Sequence, residues 1–281
     1  MESIQYNEFY SIVEQKFGAS TIQIPRDLLR LLSSYLVNIA QVFPSDLVAI
    51  YVRGSLACGG FDPRTSDVDI FVVIEERIDA RRFDHLKSLH EDLRQQFALL
   101  GPRLEVAYLS RADIRAYKPN TKHPTIVKRA PLHYKLHESD WVLERAATVN
   151  HGIALIGPAP GKLIDRVPSS EIRKVAEEIL DRWITWAKDE KNPDWHLPAI
   201  HKAFVVQSTC RALFTANYGE MISKDAGVDW ALSWLEEPWA TTVRNSTDWR
   251  LRCGTHIQLR PEIRRFIAWV EENKSELLHG R

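Results

Sequence analysis

The chain is poor in the features that mark several large classes of protein. Its 281 residues include only three cysteines, Cys58, Cys210 and Cys253, and these lie too far apart for a zinc-binding spacing. No apolar run approaches the roughly 18 residues that a membrane-spanning helix needs. The charged, amphipathic start lacks the apolar segment of a signal peptide. We therefore expect a cytoplasmic protein with reduced thiols and no membrane partner.

A surplus of charge of either sign is also absent. Lys and Arg together number 37, as do Asp and Glu, so the formal net charge is zero. Proteins that bind nucleic acids usually carry a clear basic surplus, and we therefore do not expect a nucleic-acid partner. The ten histidines form no metal-binding motif. With 44% hydrophobic and 26% charged residues, the composition is typical of a globular protein.

Strand-like and helix-like segments alternate in the first half of the chain. Short apolar, β-branched runs predict strands, and longer runs with apolar residues three or four apart predict helices. The predicted strands cover 46–54, 67–74 and 103–110, and the predicted helices cover 26–43 and 79–101, the second closed by Gly101. This alternation indicates a mixed sheet flanked by helices.

The pattern changes after a segment rich in Gly and Pro at 152–170, which we interpret as a junction. Amphipathic helices with short connections follow it, at 170–190, 199–219, 223–237 and 260–274. Tryptophan pairs in these helices have the spacing of core residues. We therefore predict an α+β protein with a first domain at 1–160 and an all-α bundle at 161–281.

Two aspartates open the second predicted strand. Alternate residues of a strand share a face, so Asp67 and Asp69 point the same way and repel each other. A divalent cation such as Mg²⁺ relieves this repulsion. Glu105 lies between apolar residues of the third strand and would join the aspartates if the two strands are neighbours. We call these three residues the acidic trio. An Asp-x-Asp pair alone is also common at strand starts, where it simply faces water.

A Gly-Ser pair precedes the aspartates. Gly54 ends the first strand and permits close approach of the backbone. Ser55 then begins a turn or helix whose N–H groups and hydroxyl could bind a phosphate. Ser66, directly before Asp67, offers a second hydroxyl. This arrangement predicts a phosphate-binding turn beside the acidic trio.

The order of these motifs is specific. A Gly-Ser pair, an eleven-residue spacer, Asp-x-Asp and a later apolar-Glu-apolar strand resemble the nucleotidyltransferases related to DNA polymerase β. The whole chain resembles the aminoglycoside nucleotidyltransferases of the streptomycin/spectinomycin adenylyltransferase type. This wider resemblance includes "GIALIGPAP" at the junction and "ISKDAGVDWAL" at 222–232.

The resemblance implies roles for matching residues. It implies that Asp67, Asp69 and Glu105 bind two Mg²⁺ ions and that Glu105 is the catalytic base. The residues expected to hold ATP, the co-substrate, are Gly54, Ser55, Ser66, Arg211 and Lys224. For Lys224 the sequence offers some independent support, because a cation at a helix N-terminus is disfavoured unless an anion is near. The alternative is a solvated lysine balanced by Asp225.

The implied reaction is transfer of AMP from ATP to a hydroxyl of a small cationic acceptor such as an aminoglycoside. We expect the protein to act as a monomer. Candidate acceptor contacts are Glu138, Asp140, Trp141, Asp194 and Trp195. Two departures from the family pattern bear on specificity. His201 or a small gap stands where the family has an acidic residue, and "TDWR" stands where it has an aromatic for the nucleotide base, with Trp249 as a candidate substitute. The alternatives are a protein or nucleic-acid acceptor and a non-catalytic nucleotide-binding regulator.

Overall fold

The computed structural model describes residues 2–18, 24–128 and 130–279. Its contacts divide the chain into two compact units, Met1–Arg166 and Val167–Arg281. Among the described residues, no helix is both long enough and apolar enough to cross a membrane.

Six strands form a single mixed sheet in the first unit. Their bounds are β1 Leu47–Arg53, β2 Val68–Ile74, β3 Leu104–Ser110, β4 Lys122–Ile126, β5 His133–Leu136 and β6 Ile153–Ile156. The strand order is β5-β4-β3-β2-β1-β6. Strands β2 and β3 pair in parallel, and the other neighbours pair antiparallel. The neighbouring positions of β2 and β3 are the arrangement on which the acidic trio depends.

The first unit also contains six helices among its described residues. They are α1 Glu2–Gly18, α2 Arg26–Val42, α3 Gly54–Ala57, α4 Ala80–Gln96, α5 Arg111–Arg115 and α6 Asp140–His151. The sheet separates two hydrophobic clusters. Val68, Ile70 and Val72 pack on one face with apolar residues of α1, α2 and α4. Phe71 and Val73 pack on the opposite face with Trp141 of α6. This alternation is the pattern of a strand buried on both faces.

The second unit is entirely helical where it is described. Its helices are α7 Ser169–Lys188, α8 Ala199–Tyr218, α9 Lys224–Leu232, α10 Trp239–Trp249, α11 Arg260–Glu272 and α12 Lys274–His279. Trp183 and Trp186 have ring centroids 6.1 Å apart, and Trp230 and Trp234 have theirs 5.2 Å apart. Trp186 is part of the hydrophobic core of the second unit, and Trp183, Trp230 and Trp234 pack against that core, which confirms the predicted core role of the four tryptophans. The α+β class with a mixed sheet and a helical second part is confirmed.

Several elements differ from their predicted bounds. Helix α4 ends at Gln96, and Gly101 begins a short 3-10 helix instead of closing α4. A Cβ at Gly101 would lie 2.6 Å from the Leu93 carbonyl oxygen, so this glycine lets the chain turn back across the end of α4. The predicted junction contains the edge strand β6. The sequence patterns also missed β4, β5, α1, α5, α6, α10 and α12.

Candidate active site

Three strands place charged side chains side by side at one end of the sheet. Arg53 pairs with Asp69 across the antiparallel β1–β2 ladder, and Asp69 pairs with Glu105 across the parallel β2–β3 ladder. Residues that are direct partners in a ladder have side chains on the same face, about 5 Å apart. The structure therefore brings Asp69 and Glu105 together as predicted. Glu105 is the second residue of β3.

Gly54 gives the Asp69 carboxylate its space. The backbone of Gly54 has a φ of +64°, in the left-handed region. A Cβ at this position would lie 2.2 Å from Asp69 Oδ2. A side chain here would have to push the carboxylate away. The predicted close approach of the Gly54 backbone is thus an approach to Asp69.

Asp67 lies just before β2 and forms an ion pair with Lys128. The Lys128 Nζ atom is 2.8 Å from Asp67 Oδ1. The backbone N–H of Lys128 also donates a 2.9 Å hydrogen bond to Glu105 Oε1. Lys128 follows strand β4, which is the neighbour of β3. Lys128, a single residue just beyond the end of β4, therefore contacts two members of the acidic trio.

Arg53 is the second cation of the site and is largely buried. Its guanidinium forms an ion pair with Glu144 of α6, and its Nη2 lies 3.6 Å from Asp69 Oδ1. The Phe71 ring centroid is 4.6 Å from Arg53 Cζ, and that of Trp141 is 5.6 Å away. Aromatic faces attract a guanidinium, so these rings help to hold Arg53 beside Asp69.

Burial changes the proton affinity of two carboxylates. Desolvation raises the pKa of Asp69 to about 7, against the opposing effect of Arg53. The pKa of Glu105 is also raised, mainly by desolvation, while the hydrogen bond from the Lys128 backbone lowers it. Negative charge is therefore costly at these two positions without a further cation.

The phosphate-binding residues predicted in the first unit lie on two segments, with Gly54 and Ser55 at the start of the short helix α3 and Ser66 directly before Asp67. Ser55 lies in the first turn of α3 and is half-buried. The Ser66 hydroxyl accepts a 2.9 Å hydrogen bond from the Asp62 backbone N–H, so it also holds the loop before Asp67. The structure thus places Gly54, Ser55 and Ser66 on the segments that flank Asp67 and Asp69.

Arg211 and Lys224 lie on adjacent helices of the second unit. A Cβ at Gly227 of α9 would lie 2.8 Å from Arg211 Cα of α8, so this glycine permits the close crossing of the two helices. Lys224 is the first residue of α9, as predicted, and its Nζ lies 4.7 Å from the Phe204 ring centroid. Asp225 pairs with Arg250 at 2.7 Å.

Three tryptophans considered for ligand contact are buried instead. Trp141 stacks on His137, with ring centroids 3.2 Å apart, and is part of the core. Trp195 and Trp249 are 0% and 1% exposed. The Trp195 indole also donates a hydrogen bond to the Asp189 carbonyl. The expectation that these rings contact an acceptor or a nucleotide base is therefore wrong.

The chemistry of the acidic trio fits a hard divalent cation, because carboxylate oxygens are the preferred ligands of Mg²⁺. The Lys128 ammonium already lies on Asp67 as a stand-in cation. In the described part of the chain, however, no three His, Cys, Asp or Glu side chains are arranged to hold a metal ion. The three carboxylates are therefore suitable ligands for Mg²⁺, although the described side chains are not arranged around a single ion position.

The sequence patterns did not predict Arg53, Lys128 or Glu144. Arg53 could have been noticed as a charged residue in an otherwise apolar strand. Lys128 and Glu144 carry no such local signal, because their roles depend on contacts with residues 23 or more positions away.

Comparisons with known proteins agree with this architecture. Residues 162–271 match the family profile described as "Aminoglycoside adenylyltransferase, C-terminal domain". An aminoglycoside (3'')(9) adenylyltransferase of Klebsiella pneumoniae is 27% identical over 212 residues, which cover 67% of this chain and 72% of the relative. A spectinomycin 9-adenylyltransferase of Staphylococcus aureus is 24% identical over 219 residues, or 73% and 78% of the two chains.

A solved structure shares the fold. It is a spectinomycin adenyltransferase from Enterococcus faecialis, crystallised with ATP and spectinomycin. It matches with a TM-score of 0.65 and 14% identity, over 85% of this chain and 98% of that one. The fold and the relatives identify the protein as a nucleotidyltransferase. Within this class, the chain resembles the aminoglycoside adenylyltransferases, whose C-terminal domain profile matches its residues 162–271.

Substitution of Gly54 tests whether the close packing of its backbone against the Asp69 carboxylate is needed for activity. Gly54→Ala should reduce nucleotidyl transfer about 100-fold, because Asp69 is predicted from the sequence to be a catalytic residue and a misplacement of about 1 Å can have an effect of that size. Gly59→Ala is the matched control, since Gly59 also has a positive φ, +84°, but no atom lies within 4 Å of its added Cβ. Pyrophosphate release measures the rate. Equal losses in the two variants would mean that backbone strain, not the Asp69 contact, explains the effect.

The raised pKa of Asp69 predicts a pH-dependent stability of the metal-free protein. Between 3.8, the ordinary pKa, and about 7, the folded protein holds a proton that the unfolded chain has released. The free energy of unfolding should therefore fall as the pH rises through this range. Asp69→Asn removes the effect, so its stability gain over wild type should grow by on the order of 3 kcal/mol from about pH 4 to about pH 8.

Urea unfolding in the presence of EDTA measures this gain. Asp46→Asn is the control of opposite sign, because hydrogen bonds from Ser45 and Arg82 lower the pKa of Asp46. Its stability relative to wild type should decrease as the pH rises. A stability gain of Asp69→Asn that does not change with pH would contradict the prediction.

Proposed function

We propose that the protein transfers AMP from ATP to a hydroxyl of a small cationic acceptor, most simply an aminoglycoside or spectinomycin, and thereby confers resistance. The observation that carries the proposal is the alignment of Asp69 with Glu105 across β2 and β3, with Asp67 directly before β2. The names of the relatives support the acceptor class. The need for ATP suits the cytoplasmic location expected from the sequence.

In the proposed reaction, the acceptor hydroxyl oxygen bonds to the α-phosphorus of ATP. The bond between the α-phosphorus and the bridging oxygen breaks, and pyrophosphate leaves. Glu105 takes the hydroxyl proton, and its raised pKa makes it a better base than an ordinary carboxylate. Asp67 and Asp69 would hold two Mg²⁺ ions with Glu105. Bound Mg²⁺ would supply charge neutralisation on the phosphates and orientation of the reacting oxygens.

The remaining proposed residues position the nucleotide. Ser55 and Ser66 offer hydroxyls on either side of the loop that precedes Asp67. Gly54 keeps Asp69 in place. Arg211 and Lys224 would bind the triphosphate, with α8 and α9 fixing their spacing. Positioning of this kind accounts for much of the rate in phosphoryl and nucleotidyl transfer.

Acceptor recognition is proposed to depend on carboxylates. A polycationic acceptor needs negative partners, and the trio together with Glu144 provides four acidic side chains against Arg53 and Lys128. Glu138, Asp140 and Asp194 are further candidates from the sequence. Of these, Glu138 is exposed and the other two are half-buried.

An acceptor panel tests the proposed function. The protein is incubated with ATP, Mg²⁺ and each of several aminoglycosides and spectinomycin, and mass spectrometry should detect an acceptor that has gained one AMP. A protein and an oligonucleotide acceptor belong in the same panel. Asp67→Asn should reduce transfer about 1000-fold or more, because metal-bound transition states gain several kcal/mol. The control is Asp84→Asn, on the exposed side of α4. AMP on none of the small molecules would refute the proposed acceptor class.

Lys224 tests the nucleotide-binding role of the second unit. Lys224→Met should raise the KM for ATP about tenfold or more, since a charged hydrogen bond to phosphate contributes about 1.5–3 kcal/mol. Lys174→Met, at an exposed position of α7, is the matched control and should leave the KM unchanged. A KM for ATP that is equal in the two variants would exclude Lys224 from the triphosphate site.

A further inference from the structure

Lys128 contacts the acidic trio through two different atoms. Its backbone N–H donates to Glu105 Oε1 at 2.9 Å, and its side-chain Nζ lies 2.8 Å from Asp67 Oδ1. The backbone hydrogen bond fixes the position of the Lys128 main chain beside Glu105. The side chain, by contrast, is 36% exposed and has a flexible four-carbon stem. The ammonium can therefore leave Asp67 while the backbone stays in place.

The two cations of the site are held differently. Arg53 is 7% exposed, lies against the rings of Phe71 and Trp141, and is paired with Glu144 and Asp69. Lys128 is near the surface and pairs with Asp67 alone among the ion pairs of the described residues. Arg53 is thus a permanent part of the site, and Lys128 is the cation that can be exchanged.

We propose that Lys128 is an internal counter-cation that competes with a divalent metal ion for Asp67 and is displaced when the metal binds. This inference rests on the proposed function, which places the metal at Asp67. An ammonium and a divalent cation cannot both lie against one carboxylate oxygen, because like charges repel strongly at contact distance. The Lys128–Asp67 ion pair neutralises Asp67 when no metal is bound. Because the metal must break this pair in order to bind, the pair lowers the affinity of the site for the metal.

The test measures metal binding to the full chain without nucleotide. The protein is stripped with EDTA and titrated with Mn²⁺, and electron paramagnetic resonance reports the free ion. Lys128→Met, which removes the charge but keeps the stem, should tighten Mn²⁺ binding about fivefold or more, the effect of removing a competing ion pair. Lys128→Arg keeps a charge and should bind Mn²⁺ no more tightly than wild type.

Lys135→Met is the matched control for a general change in charge. Lys135 is exposed on β5 and acts on Glu105 through its charge, but among the described residues it forms no ion pair with Asp67. Its replacement should change the Mn²⁺ affinity less than about twofold. Circular dichroism checks that each variant is folded, which we expect because both lysine side chains reach the surface.

Each outcome decides the inference. Tighter Mn²⁺ binding in Lys128→Met than in Lys135→Met supports it. Equal changes in the two variants, unchanged or weaker binding in Lys128→Met, or no Mn²⁺ binding by either wild type or Lys128→Met would overturn it. The acceptor panel separates this result from the proposed function. If AMP is transferred but the Mn²⁺ affinity of Lys128→Met equals that of wild type, only the proposed competition is refuted. If Lys128→Met binds Mn²⁺ more tightly but no AMP is transferred, only the proposed acceptor reaction is refuted.

Discussion

The contact between the Gly54 backbone and the Asp69 carboxylate is the constraint on which the rest of the site depends. No side chain fits between them, since a Cβ would lie 2.2 Å from Asp69 Oδ2. This contact lets Asp69 lie in register with Arg53 on one side and Glu105 on the other. The end of β1 and the start of β2 are therefore fitted to each other. The site follows from a backbone conformation as much as from its charges.

Charge balance is the second constraint. Four carboxylates meet two cations at one end of the sheet, and burial raises the pKa values of Asp69 and Glu105. An arrangement of this kind lowers the stability of the folded protein and is typical of functional sites. The cost is limited because Arg53 is held by Glu144 and by two aromatic rings. The first unit can therefore fold with excess negative charge and remain receptive to a further cation.

The sequence predicted the parts of the fold that are strongly apolar. Strands β1, β2 and β3 are buried runs, and their predicted and observed ends differ by one residue at most. Strand β4, "KHPTI", contains Pro, and β5, "HYKL", is mostly exposed, so neither has a clear strand pattern. The same limit applies to the site. The spacing of Asp67, Asp69 and Glu105 was informative, but Lys128 reaches them only because an unpredicted strand, β4, precedes it.

The surplus of acidic groups also bears on the order of binding under the proposed function. A negatively charged site attracts a polycationic acceptor but repels a free triphosphate. ATP must therefore arrive with enough positive charge to offset both its own phosphates and the acidic trio. Lys128 offsets part of the trio but occupies an oxygen of Asp67. A cation that comes with ATP can replace that ammonium at Asp67, so the charge that permits nucleotide binding is the same charge that completes the site.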